Sequence, residues 1–139
     1  MATTSQSFLR SPAAAKIEAV PTARARGILD LVGNTPLLEL KRVTHGLLAP
    51  GVRLFAKIEG FNPGGSIKDR AVRKMIEVGL ERGDLRPGKT IIDSTSGNTG
   101  IALAMMGATL GYPVELVMSS VASRERKRVI AAYGAKIHY

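Results

Sequence analysis

The sequence predicts an α/β fold, a parallel sheet covered by helices in a three-layer αβα arrangement. Two observations point there. Short apolar segments with strand-like alternation take turns with longer segments of helical period, the pattern of parallel strands joined by crossover helices. The stretch 98–111 carries no charged residue, so a helix there is buried on most sides.

The elements follow in order from Ile28. "PLLEL" (36–40) is a short apolar segment, and "VRLFAKIE" (52–59) alternates like a strand. After the loop "GFNPGGS", residues 68–82 have a helical period. Ala71, Val72, Met75, Ile76, Gly79 and Leu80 share one face, and Arg70, Arg73, Lys74, Glu77 and Glu81 share the other. The strand "TIID" (90–93), the loop "STSGN", the uncharged helix and the strand "PVELVM" (113–118) come next. A helix over about 123–133 closes at Gly134, and "AKIHY" begins another strand. The chain stops at Tyr139, where a crossover helix ordinarily follows, so an incomplete fold is expected. Residues 1–27 are rich in Ala, Ser, Thr and Arg with Glu18 as the single acid, which predicts a mobile N-terminal extension. A transit peptide has a similar composition, so organelle import stays open beside a cytoplasmic location.

Composition narrows the chemistry. With 139 residues, 45% of them hydrophobic and 22% charged, the chain is large enough for one core. No apolar run approaches the ~20 residues that cross a bilayer. The absence of cysteine excludes disulfides, thiolate metal sites and a cysteine nucleophile. His45 and His138 lie far apart, which argues against a histidine metal site, and no metal is expected. The net charge of +9 raises the question of nucleic acid, but the charge is spread: 8 basic and 4 acidic groups in residues 1–60, 12 and 7 in 61–139. The densest run, "RERKR" (124–128), has no interleaved aromatics for base stacking, so it is read as a solvated helix face.

"GDLRPGKT" (83–90) matches the phosphate-loop pattern G-x-x-x-x-G-K-[ST]. A phosphate loop leaves a strand and enters a helix, whose N-terminus supplies the positive field. Here the order is reversed, and Pro87 removes one backbone donor. The match is therefore read as a helix-terminating glycine followed by a turn.

Two other loops have the right polarity for anions, each leading from a strand into a helix. "NPGGSIKDR" (62–70) places Lys68 in the first turn of its helix. A positive helix end and partial burial favour a neutral lysine, and a neutral lysine can form a Schiff base with an aldehyde cofactor. By position alone, Lys68 reads as one more surface lysine among many. "STSGNTG" (94–100) gathers Thr95, Ser96, Asn98 and Thr99 between glycines, which suits a carboxylate or phosphate. A plain N-cap would account for one of them. Both loops are expected at the C-terminal edge of the one sheet, where open α/β sheets bind ligands.

"LVGNTPL" (31–37), "NPGGSIKDR" and "STSGNTG" stand in the order and spacing of the cysteine synthase family, which also includes cystathionine β-synthase. The chain resembles these pyridoxal-phosphate enzymes of fold type II from Ile28 to Tyr139. The resemblance implies that Lys68 holds pyridoxal 5′-phosphate and later moves the substrate α-proton. It implies that Asn98 hydrogen-bonds the cofactor's ring hydroxyl oxygen and that Thr95, Ser96 and Thr99 grip the substrate α-carboxylate. The implied reaction is β-replacement on an O-activated L-serine, acetylated or phosphorylated, with a sulfur nucleophile to give L-cysteine. Alternatives are cystathionine β-synthase chemistry and a non-catalytic binding module. Implied partners are the amino-acid substrate, the sulfur donor, a second copy in a homodimer and a serine acetyltransferase. Ser94 and Ser119 stand where the family often has proline, which blurs the subclass. The glycine-rich loop for the cofactor phosphate belongs to a continuation that this chain does not include. Residues 28–139 are thus expected to form the N-terminal part of a two-domain enzyme, inactive by itself.

Overall fold

The computed structural model describes Ala25 and residues 27–139. The expected mobile extension over 1–27 otherwise lies outside the described residues. Strands β1 (Leu37–Glu39) and β2 (Phe55–Lys57) come first, followed by helix α1 (Lys68–Glu81). Strand β3 (Ile91–Ser94), helix α2 (Asn98–Leu110) and strand β4 (Val114–Val117) come next. Helix α3 (Arg124–Ala132) and strand β5 (Lys136–His138) complete the order. Each agrees with an element read from the sequence to within a few residues.

Strands β3, β4 and β5 form a parallel sheet in that order, with Ile91 opposite Val114 and Leu116 opposite Ile137. Sequential neighbours with crossovers of one hand place their helices on one face. Side chains from α2, β4 and α3 accordingly meet: Leu116 and Ile130, both fully buried, converge on Gly100. The covered face of β4 carries buried Val114 and Leu116, while Val117 on the other face is exposed, as is Ile92 on β3. The described residues thus supply the sheet and one helical layer of the expected α/β fold.

The uncharged α2 is the centre of the core. Every residue from Ala102 to Gly107 is buried, and α1, α3, β3 and β4 all pack on it. Gly107 marks its closest approach to the sheet. A Cβ there would stand 2.2 Å from Val114 Cγ2 and 3.0 Å from the Tyr112 carbonyl oxygen. Alanine gains about 0.8–1.0 kcal/mol over glycine in an exposed helix interior, but overpacking costs about 1–3 kcal/mol. Val114 is β-branched, stiff and buried, so it yields poorly. Gly107→Ala is therefore expected to destabilise the chain by about 1–2 kcal/mol. A urea midpoint equal to or above that of the unaltered chain would reverse this sign.

Three expectations change. Strand β2 pairs antiparallel with β1, with Leu38 opposite Ala56, in a sheet separate from β3–β5. Parallel pairing needs a crossover, usually a helix, whereas residues 40–54 form turns and reverse the chain. Glu39 and Arg53 close the pair with two hydrogen bonds of 2.8 and 3.1 Å. Helix α1 buries a narrower stripe than its period predicts. Val72 and Ile76 are buried, but Met75 is 60% exposed and Leu80 42%. Among the described residues α2 is the main helix packed on α1, and one neighbour covers only one strip. Arg73, expected on the solvent face, donates to the Leu29 carbonyl at 3.1 Å and ties the turn Ile28–Leu31 to α1.

"GDLRPGKT" runs from α1 into β3, as its context predicts. Lys89 N–H closes a turn onto the Arg86 carbonyl at 3.0 Å, with Pro87 and Gly88 at its centre. Gly88 has φ +84°, a left-handed value that a proline–glycine turn demands of its third residue.

Candidate active site

The segment 59–70 is built around one carboxylate. Glu59 receives the Arg70 guanidinium through two hydrogen bonds, Nε to Oε2 at 2.8 Å and Nη2 to Oε1 at 2.9 Å. Such forked pairs are strong and fix orientation. Asn62 Nδ2 and the Thr35 hydroxyl each donate to Glu59 at 2.9 Å. Arg70 also donates to the Gly33 carbonyl at 2.9 Å, and Gly33 N–H donates to Asn62 Oδ1 at 2.8 Å. The first and second sequence motifs are locked together by this network.

The Arg70 guanidinium holds the Glu59 carboxyl below its ordinary 4.5, down to about 2, against the opposing effect of desolvation. A carboxyl lowered on folding adds stability that is fully present above 4.5 and is lost as pH falls toward about 2. Asp69 has the opposite sign. Burial raises its carboxyl, so its contribution is present at low pH and is lost as pH rises past 3.8. Urea midpoints measured across the acid range are expected to fall less steeply for Glu59→Gln than for the unaltered chain. Parallel slopes would remove the network's role in acid stability. Glu39, Glu77 and Glu115, lowered chiefly by Arg53, Arg73 and His138, remain in both chains and set the common background.

Lys68 is the first residue of α1. Its N–H donates to Ser66 Oγ at 3.2 Å. Its side chain is exposed, not partly buried as expected, because the next residue takes the inward position: Asp69 is fully buried. Lys68 Nζ forms no hydrogen bond or ion pair with the described residues.

The second loop leaves the C-terminal end of β3, where Thr95 N–H extends the ladder to the Val117 carbonyl at 3.1 Å. Thr95 Oγ1 accepts from Gly97 N–H at 3.4 Å. Helix α2 then starts at Asn98 without any side-chain cap. By contrast, Ser123 caps α3, accepting from Arg126 N–H at 3.4 Å. The side chains of Ser96, Asn98 and Thr99 form no hydrogen bonds among the described residues. A helix-capping role thus does not explain these polar groups. They stand free around a helix N-terminus, whose unpaired N–H groups and dipole favour an anion.

The structure brings the two helices together, since α1 packs on α2, but no hydrogen bond or ion pair joins Lys68 to residues 95–99. The 62–70 loop follows antiparallel β2, so it does not leave the parallel sheet as the sequence reading expected. Sequence reasoning missed Glu59, Thr35 and the buried Asp69, and it placed Arg70 on a solvent face. Thr35, Asn62, Asp69 and Arg70 lie inside quoted motifs, and that is the one signal that could have singled them out. Elsewhere, His45 is exposed, and His138 pairs with Glu115 at 2.6 Å across β4 and β5. Arg124, Arg126 and Arg128 are exposed on α3, as a solvated face requires.

A free primary amine at one helix start, and uncapped hydroxyl and amide groups at another, form a donor set that suits an aldehyde cofactor and a carboxylate. The fold is that of the N-terminal part of a fold type II pyridoxal-phosphate enzyme. The family profile described as "Pyridoxal-phosphate dependent enzyme" matches residues 28–139, and the chain belongs to that family. It is 53% identical over 119 residues to a cysteine synthase of Aquifex aeolicus, covering 85% of this chain and 36% of that protein. It is 50% identical over 113 residues to a cysteine synthase B of Pseudomonas aeruginosa, covering 79% of this chain and 36% of that protein. A crystal structure of cysteine synthase from Entamoeba histolytica superposes with a TM-score of 0.83 at 41% identity, covering 89% of this chain and 37% of that one. The chain thus spans about a third of the length of these relatives. No helix among the described residues is long and apolar enough to cross a membrane.

Proposed function

We propose that residues 28–139 form the N-terminal part of a cysteine synthase. The reaction is replacement of the β-substituent of an O-activated L-serine, acetylated or phosphorylated, by a sulfur nucleophile to give L-cysteine. Lys68 holds pyridoxal 5′-phosphate through Nζ. When bound, the cofactor supplies the electron sink that makes the substrate Cα proton labile. Lys68 Nζ, freed once the substrate amine has taken its place, would then move that proton as a general base. Asn98 orients the cofactor through its ring hydroxyl oxygen. Thr95, Ser96 and Thr99, with the N–H groups at the start of α2, bind the substrate carboxylate and keep Cα in reach of Lys68. The Glu59–Arg70 network holds the helix that carries Lys68.

The observation that carries this proposal is the pairing of an unpartnered Lys68 with an uncapped α2. The curated relatives support the choice of chemistry, since the first of them bear the name cysteine synthase. The homodimer and the serine acetyltransferase complex are part of the same proposal, carried by the resemblance, while the extension before Ile28 and the cytoplasmic location rest on the composition of residues 1–27. The test is covalent capture. The chain is incubated with pyridoxal phosphate, reduced with borohydride and mapped by peptide mass. One cofactor per chain on Lys68 is the expected result, and label scattered over the lysines would refute the assignment.

A further inference from the structure

Asp69 has no part in the chemistry above, yet it is a fully buried carboxyl beside it. It is fully buried, its Oδ2 accepts the Gly64 N–H at 2.5 Å, and its Oδ1 has no partner. The turn comes so close that a Cβ on Gly64 would stand 2.5 Å from Oδ1 and 2.9 Å from Oδ2. A buried carboxylate oxygen without a partner costs stability. What the contact supplies is geometry. It joins the turn at Gly64 to the first turn of α1, across the residue that the function needs.

We propose that Asp69 is a positioning residue for Lys68: by pinning the Gly64 turn to α1 it sets the direction in which Lys68 Nζ is presented. This rests on the assignment of Lys68 as the cofactor-holding lysine. Successive side chains of an α-helix point about 100° apart. Asp69 is held inward by Gly64, and Arg70 is held toward Glu59. Ser66 Oγ holds the backbone N–H of Lys68 itself. With its neighbours anchored, Lys68 is left the exposed sector, where no protein group competes for its amine. The free lysine is thus flanked by restrained residues on both sides, the arrangement that keeps a reactive group within narrow tolerance. An acid placed in the first turn only to complement the helix dipole would need neither the burial nor the glycine against it.

The test uses the full 139-residue chain and its Asp69→Ala, Asp69→Asn and Gly64→Ala variants, with folding checked by circular dichroism and thermal unfolding. Two quantities are read by peptide mapping. One is the share of borohydride-trapped pyridoxal phosphate on Lys68. The other is the rate at which a small anhydride acylates Lys68, relative to Lys74 and Lys89, from neutral to alkaline pH. Asp69→Ala and Gly64→Ala are each expected to lower the Lys68 share to that of unselective labelling, one of the chain's eight lysines, since a 1 Å misplacement brings up to ~10²-fold loss in rate. Both should also change its acylation profile. Asp69→Asn keeps the acceptor for Gly64 N–H and is expected to recover most of the loss. A folded Asp69→Ala chain that traps and acylates Lys68 as the unaltered chain does would overturn the proposal. If that variant does not fold, a Gly64→Ala chain with unchanged Lys68 behaviour overturns it equally. Failure of Asp69→Asn to recover, with thermal stability falling in step, assigns Asp69 to stability alone and also overturns it. Should the unaltered chain trap no cofactor on Lys68 while the acylation profile still depends on Asp69, the positioning stands and the cofactor assignment falls.

Discussion

Lys68→Ala is expected to abolish site-specific capture of pyridoxal phosphate while leaving the fold intact. The side chain is exposed and touches nothing that its loss would disturb. Substitutions at such surface positions stay within about 0.5 kcal/mol, so the urea midpoint should barely move. Function should fall far more. In an enzyme that includes this chain, losing the proposed base for the α-proton is expected to cost roughly 10²–10⁴-fold in rate. Losing the covalent anchor adds to that. The informative result is the separation of the two readouts: stability unchanged, capture gone. A Lys68→Ala chain that still takes up one cofactor at a single lysine would show that another residue is the anchor. Lys89, inside the misleading "GDLRPGKT" pattern, would be the first to examine.

Leu116→Ala should produce the largest loss of stability. Leu116 lies on β4, is fully buried and reaches Gly100 in α2, where it meets Ile130 of α3. Three elements lose contacts at once, and the cavity lies between a sheet and two helices that are each held elsewhere. Leucine-to-alanine changes in such settings cost about 2–5 kcal/mol. Against a typical total of about 5–15 kcal/mol, this is a large share. Gly100 lies in the first turn of α2, so the cavity opens directly beneath the proposed carboxylate site. Val117→Ala, one residue along and on the exposed face, is the matched control and should cost little. A Leu116→Ala loss no larger than that of the control would mean that α2 and α3 close over the cavity and that the core is softer than its packing indicates.

Much of this molecule is legible without coordinates, and the reason is locality. The burial of α2 follows from thirteen residues without a charge. The turn at Pro87–Gly88 follows from proline and glycine stereochemistry, and the false phosphate loop is rejected from the order of its flanking elements. The candidate residues Lys68, Thr95, Ser96, Asn98 and Thr99 lie in short glycine-rich loops whose composition exceeds what a turn requires. Each of these signals acts over a few neighbouring positions, within the reach of a pattern.

Other features depend on which distant segment arrives. The helical period of α1 marks Met75 and Leu80 as apolar-face residues equally with Val72 and Ile76. It cannot say that α2 will cover only the second pair. The alternation of 52–59 predicts a strand but not its antiparallel pairing with β1, because strand direction is decided by the chain reversal at residues 40–54. Arg70 has the sequence position of a solvated helix residue. It becomes the centre of the site's support only because Glu59, Gly33 and Thr35, up to 37 positions away, converge on its guanidinium. Asp69 stands beside Lys68 in the sequence, and nothing in that adjacency tells that one is buried against Gly64 while the other faces solvent. The sequence by itself determined the elements and the two polar loops, since propensity and local stereochemistry suffice for these; Lys68 was singled out by the resemblance that its motif carries. Only the tertiary structure decided which charges are paired and which amine is left free, because burial and hydrogen-bond geometry arise between segments that have no local relation.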